Sequence, residues 1–198
     1  TMIFKKRQNF EVCTYGAEVL SKSSRKIEQI TPEVIELAEY MLHTMNIFNG
    51  IGIAAPQVGV NLRLVVIDIS PDAMEVPPTP GELELFPLMP LVLVNPEITA
   101  VSSECSEREE GCLSVPEIYA PVTRPVKATL KSTLLNGRTV EVECGGLLGR
   151  CIQHELDHLD VKVFVDRLTP ANRKAIEQKL KRLQSYYRKR DNKRLIKM

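Results

Sequence analysis

No apolar run in this sequence is long enough to cross a bilayer as a helix, which excludes a membrane-spanning protein of that kind. The opening residues, TMIFKKRQNFEVCTYG, lack the apolar core of a secretory signal. Five cysteines make an odd count at scattered spacing, so no disulfide framework is implied. Free thiols in a reducing compartment are the simpler reading, and the expected location is cytoplasmic. Internal repeats are missing. So is the strand–helix alternation that marks a parallel sheet. Histidine is scarce, with three in 198 residues.

What is present is an ordinary globular composition, 43% hydrophobic and 26% charged with net charge +1. The length suits a single domain spanning 1–198. Charge is uneven along it. From Ala171 onward eleven Lys/Arg face two Asp/Glu, about +9, which leaves about −8 on the rest. The tail is expected to meet an anionic partner, and the body is not.

TPEVIELAEYMLHTM (31–45) predicts a helix, with Thr31 as cap and Pro32 in the first turn. Val34, Leu37, Ala38, Met41, Leu42 and Met45 form its apolar stripe. LRLVVIDI (62–69) and LVLVNPEI (91–98) predict strands. The Pro-rich stretch between them, 70–90, reads as a surface loop. VTRPVKATLKSTLL and RTVEVEC flank Asn136-Gly137, a strong hairpin signal. GGLLGRCIQHELDHLD (145–160) predicts a helix. Another begins at Thr169-Pro170, with Ile176, Leu180, Leu183 and Tyr187 at helical spacing. The fold class is therefore α+β, with mostly antiparallel sheets around the second helix.

That second helix carries the chemistry. His154 and His158 stand four apart and share a face. Glu155 lies one residue on, about 100° around the axis. This is the H-E-x-x-H pattern, in which two imidazoles hold a cation and a carboxylate moves a proton. A catalytic metal also needs a third protein ligand and an open position. His43, at the edge of the first helix's stripe, reads as a partly buried structural residue. Cys112, in EREEGCLSVPEIY, and Cys151, three before His154, are level on spacing alone. Cys13, Cys105 and Cys144 read as small apolar side chains. GIGIAAPQVG (50–59) suggests backbone held close to a ligand.

Three of these segments together resemble the peptide deformylase family. Its signatures G-x-G-x-A-A-x-Q, E-G-C-L-S and H-E-x-D-H stand here as GIGIAAPQ (50–57), EGCLS (110–114) and HELDH (154–158). H-E-x-x-H alone is shared with many peptidases, whereas the three in this order are specific. The resemblance makes Cys112 the third ligand beside His154 and His158. It implies one divalent ion, iron(II) in the cell, with zinc, nickel or cobalt able to substitute. The implied reaction removes the formyl group from N-formyl-methionyl nascent peptides. The Gln57 amide and the Leu113 backbone N–H are then donors to the formyl oxygen, and Glu155 carries the proton. The resemblance further implies that Leu147 and Cys151 line the methionine pocket and that backbone at Ile51, Gly52 and Gly111 pairs with the extended peptide.

Arg124 matches a family arginine and is expected to pair with Asp157. The basic C-terminal helix, about 170–198, is expected to contact ribosomal RNA. Two departures stand out. Val161 occupies a position where the family usually has glycine, so the metal helix is expected to end differently. The segment 71–90 is longer than usual.

Overall fold

A computed structural model describes residues 10–195, with side chains to residue 187. Four helices and seven strands appear among these residues. Helix α1, Pro32–Ile47, follows the predicted stripe, burying Val34, Leu37, Ala38, Met41 and Met45. Thr31 holds the N-cap position, but its side chain accepts no capping hydrogen bond. Pro32 at N1 sets the start instead. His43 is exposed rather than partly buried: its ring stacks on Phe10 and its Nδ1 meets the Glu39 carbonyl, on the solvent side of the stripe.

Strands β1 (Gly52–Ala54), β2 (Leu64–Ile67), β3 (Leu91–Val101), β6 (Ala128–Leu134) and β7 (Thr139–Cys144) form one antiparallel sheet, in the order β1-β2-β3-β6-β7. Strands β4 (Cys105–Cys112) and β5 (Val115–Pro125) pair as a separate two-stranded sheet. The predicted hairpin forms at Asn136-Gly137, with Gly137 at φ +83 and its N–H donating to the Leu134 carbonyl. VTRPVKATLKSTLL divides between two sheets rather than forming one strand. Its first residues close β5 at Pro125, which has no N–H to continue a ladder, and the rest begins β6.

Alternation along β2 explains its continuous apolar run. Leu64 and Val66 pack with α1, while Val65 and Ile67 face the opposite cluster with Leu148, Ile152 and Leu156. Those last residues belong to α3, Gly146–Leu159, which lies between the two sheets. On its far side Val115, Ile118 and Val122 of β5 meet Phe164, Val165 and Leu180. Leu180 anchors α4, Pro170–Leu195, with Ile176 and Leu183 beside it.

The segment 70–90 is a correction to the sequence reading. It folds as a 3-10 turn (Pro71–Ala73), α2 (Pro80–Leu85) and a second 3-10 turn (Phe86–Leu88), with Leu85 and Phe86 in the core. The overlooked signal is Thr79-Pro80-Gly81-Glu82, a capping box with proline at N1. The Thr79 hydroxyl also accepts from the Gly145 N–H at 3.1 Å, which ties the segment to the entrance of α3.

Val161 is a second correction. It takes φ +62, the conformation a glycine would adopt, so the helix ends as it would with glycine. The Lys162 N–H donates to the Asp157 carbonyl at 2.8 Å, closing the end in Schellman fashion and holding the β-branched residue there.

Candidate metal centre

Helix α3 is buried almost all round, yet it carries Arg150, Gln153, His154, Glu155, Asp157 and His158. Polar groups in such a place must be paired or bound to something. The i,i+4 spacing turns His154 and His158 toward the β4–β5 turn, where Cys112 ends β4. The register shifts between Gly111 and Cys112, and a bulge of this kind re-aims a side chain. Ligand atoms of Cys112, His154 and His158 lie within 4.8 Å of one another. Cys112 Sγ is 3.2 Å from His158 Nε2. Among the described residues these three form the metal-competent group, and Cys151 lies outside it.

The electrostatics suit a cation. Burial resists ionisation of the Cys112 thiol, but the charges and hydrogen bonds of His158 and His154 outweigh it and hold the thiol well below its ordinary range. A thiolate is the form that binds metal. The Ser114 N–H reaches Sγ at 3.4 Å. His154 donates from Nδ1 to Glu110 Oε2 at 2.9 Å, which leaves Nε2 free to ligate. Burial raises the Glu155 carboxyl, against the opposing pull of His154 and His158. Its Oε2 is buried without a protein partner, an orphaned acceptor beside the three ligands. Two nitrogens, one sulfur and an orphaned carboxylate oxygen fit a catalytic divalent ion with an open position.

A network supports the ligands from behind. Arg124 forks Glu110, Nε to Oε1 at 2.7 Å and Nη2 to Oε2 at 2.9 Å, and also reaches Asp157 at 2.8 Å. Arg150 donates to Glu110 at 2.7 Å. Burial disfavours the Glu110 and Asp157 charges, but the His154 and Arg124 hydrogen bonds at Glu110, and those of Arg167 and Arg124 at Asp157, outweigh it. Both carboxyls stay below the usual range.

The Arg124–Asp157 pair was expected from sequence, whereas the roles of Glu110, Arg150 and Arg167 were missed. Glu110 stood inside the quoted EGCLS signature. Arg150 is a lone charge in the apolar run GGLLGRCI. Both were legible as residues that need a partner.

A cleft of about 600 Å³ opens over the group. Gln57, Cys112, Leu113, His154 and Glu155 line its floor; Leu147 and Cys151 form a wall. Gln57 is 1% exposed and anchored: its Oε1 accepts the Ala54 N–H at 2.8 Å, which turns Nε2 toward Ser114 Oγ and Cys112 Sγ. Ile51, Gly52 and Gly111 stand at the rim. β1 ends its sheet and β4 has a partner on one side, so two strand edges border the cleft. A Cβ on Gly52 would lie 2.6 Å from Glu155 Oε1 and 2.7 Å from Cys151 Sγ, so only glycine lets β1 approach α3 this closely. The segment 71–90 contributes nothing to the lining.

Known proteins share this arrangement of chain. A profile of the family described as polypeptide deformylase matches residues 9–174. A peptide deformylase 2 of Gloeobacter violaceus is 50% identical over 155 residues, 78% of this chain and 76% of that protein. A peptide deformylase of Acinetobacter baumannii is 39% identical over 160 residues, 81% of this chain and 83% of that protein. The crystal structure of a Synechococcus elongatus peptide deformylase, in complex with actinonin, superposes with TM-score 0.73 at 35% identity, covering 87% of each chain. A plant peptide deformylase superposes with TM-score 0.79 at 30% identity, covering 93% of this chain and 94% of that one.

Proposed function

The chain belongs to the polypeptide deformylase family, and from that premise we propose how its residues carry out the family's reaction. That reaction hydrolyses the formyl group from the N-terminal formyl-methionine of new polypeptides, releasing formate. The observation that carries the assignment is the convergence of Cys112, His154 and His158 under a cleft bordered by two strand edges.

Cys112, His154 and His158 hold one divalent ion, which supplies Lewis acidity for the hydrolysis when bound. Iron(II) is the proposed ion in the cell, with zinc, nickel or cobalt as substitutes. Backbone at Ile51, Gly52 and Gly111 binds the peptide as an added strand, reading main chain rather than side chains. Leu147 and Cys151 receive the methionine side chain. The Gln57 amide and the Leu113 N–H meet the formyl oxygen as negative charge grows there. Gln57 is suited to this because the Ala54 N–H already fixes its orientation. Glu155 accepts the proton of the attacking water and returns it to the departing amine. Formate and a free N-terminus result.

The test is formate release from formyl-Met-Ala-Ser by wild type and by Glu155→Ala. Wild type is expected to release it, and the variant to lose at least about a hundredfold in kcat. Cleavage of internal peptide bonds, or equal activity in the variant, would refute the reading.

The chain is read as one cytoplasmic catalytic domain whose C-terminal helix docks on ribosomal RNA. The excess of lysine and arginine from Ala171 onward supports this. Removing 188–198 takes away six Lys/Arg and one Asp while leaving Leu180 and its neighbours packed. The truncated protein should co-sediment less with ribosomes, and wild-type binding should weaken with salt. Salt-insensitive, unchanged binding would count against it.

A further inference from the structure

Behind α3, on the side away from the substrate cleft, lies a second cleft of about 570 Å³. Arg167 stands on its wall, close to half exposed. Its guanidinium forks the buried Asp157: Nη2 donates to Oδ1 at 2.5 Å and Nε to Oδ2 at 3.1 Å. Asp157 in turn accepts from Arg124, Arg124 forks Glu110, and Glu110 accepts from Nδ1 of His154. Solvent and a candidate metal ligand are thus joined by one unbroken file of hydrogen-bonded groups: Arg167, Asp157, Arg124, Glu110, His154.

We infer that Arg167 is a positioning residue for the metal centre, acting through this file by the geometry of its fork. The inference rests on the metal reading given above. The two carboxylates share buried Arg124, and Glu110 has a further donor in Arg150. Arg124 spends two donors on Glu110 and one on Asp157. Arg167 supplies the hydrogen bond recorded at Asp157 Oδ1 and shares Oδ2 with Arg124. With Arg167 in place, Arg124 stays square on Glu110, and Glu110 holds the His154 ring in the tautomer and orientation that ligate. Without it, Asp157 is a buried carboxylate short of donors, and it draws Arg124 away from Glu110. Arg150 still holds Glu110 Oε1, but Oε2, the atom that meets His154 Nδ1, loses its Arg124 donor, so the carboxylate can turn and the ring is no longer held at one angle. Placement favours this role as well. Arg167 ends a 3-10 turn, Phe164–Arg167, whose Phe164 stacks on the His154 ring at 6.2 Å between centroids. One short segment therefore touches the ligand's ring and the far end of its support.

The experiment uses the full chain loaded with Co(II), comparing wild type, Arg167→Met, Arg167→Lys and Lys162→Met. Lys162 lines the same rear cleft and serves as the charge control. The readouts are the Co(II) d–d absorption band, the rate of Co(II) loss to a chelator, and kcat separately from KM. Arg167→Met should shift the band, lose metal about tenfold faster and lower kcat with KM unchanged, in line with losses at outer-shell partners. Arg167→Lys should not restore these, because an ammonium cannot make two parallel bonds. Lys162→Met should match wild type.

A fall in melting temperature for Arg167→Met with the same band and the same metal-loss rate would overturn the inference and leave a structural clamp. Full recovery in Arg167→Lys would overturn it too, since charge alone would then suffice. A wild type that takes up no Co(II) would sink the metal reading itself, whereas normal wild-type uptake with an unaffected Arg167→Met sinks this inference alone.

Discussion

Replacing Arg124 with methionine is expected to cost more stability than removing any single surface charge, and the structure says how much. The Arg124 side chain is 3% exposed and donates three hydrogen bonds, two to Glu110 and one to Asp157. Methionine fills much of the aliphatic volume but satisfies neither carboxylate. Glu110 keeps Arg150 and His154; among the described residues Asp157 keeps Arg167 alone, from the solvent side. Removing one partner of a buried ion pair typically costs about 3–5 kcal/mol, because the other charge stays buried. In a chain of this size each kcal/mol moves the midpoint by about 2–4 °C, so the melting temperature should fall by roughly 6–20 °C.

The matched control is Lys127→Met. Lys127 pairs with Glu143 at 3.0 Å, but both side chains are nearly half exposed, and such pairs contribute about 1 kcal/mol or less. Thermal unfolding followed by circular dichroism at equal metal loading reads both. Adding Asp157→Asn to Arg124→Met should restore part of the loss, about 1–3 kcal/mol of coupling, since the uncompensated charge is gone. A fall no larger than that of Lys127→Met, or strict additivity in the double variant, would refute the claim that these carboxylates depend on Arg124.

Gln57→Ala should lower kcat by about a hundredfold to a thousandfold with a small change in KM, the usual cost of one oxyanion donor; steady-state kinetics on formyl-Met-Ala-Ser checks it. Gly52→Ala pushes a methyl into Glu155 Oε1 and Cys151 Sγ, and should cost about a hundredfold in activity through displaced groups. An active Gly52→Ala would show that β1 yields easily. Val161→Gly relieves about 1–2 kcal/mol of left-handed strain against about 0.5–1 kcal/mol of added chain entropy, so the midpoint in a melting curve should hold or rise, by up to about 6 °C, and a fall would refute the strain. Iodoacetamide at pH 8.5 should label the exposed Cys105 and spare Cys144. Burial first, then the charges of Glu82, Glu84 and Glu143, push the Cys144 thiol up to about 12, so it stays protonated there. Peptide mass spectrometry reads the outcome.

Local sequence determined what local geometry governs. The i,i+4 spacing put His154 and His158 on one helical face, and the stripe from Val34 to Met45 specified α1 and its buried side. Asn136-Gly137 specified the β6–β7 hairpin. These rest on interactions within a few residues, where periodicity is a direct physical signal. Tertiary structure decided what depends on separation. Cys112 and Cys151 were level on spacing, and the family resemblance favoured Cys112; the meeting of Sγ with two imidazoles comes from β4 turning against α3, 42 residues or more away in the chain. Glu110 and Arg150 showed in the sequence as charges in need of a partner, but which partners they take had no local signal, because a charge in an apolar run names none until the sheets enclose it. In 70–90 the start of α2 was written locally, in the Thr79–Glu82 capping box, beneath a proline density that suggested a loop; that the segment packs on Gly145 and into the core was decided by tertiary structure.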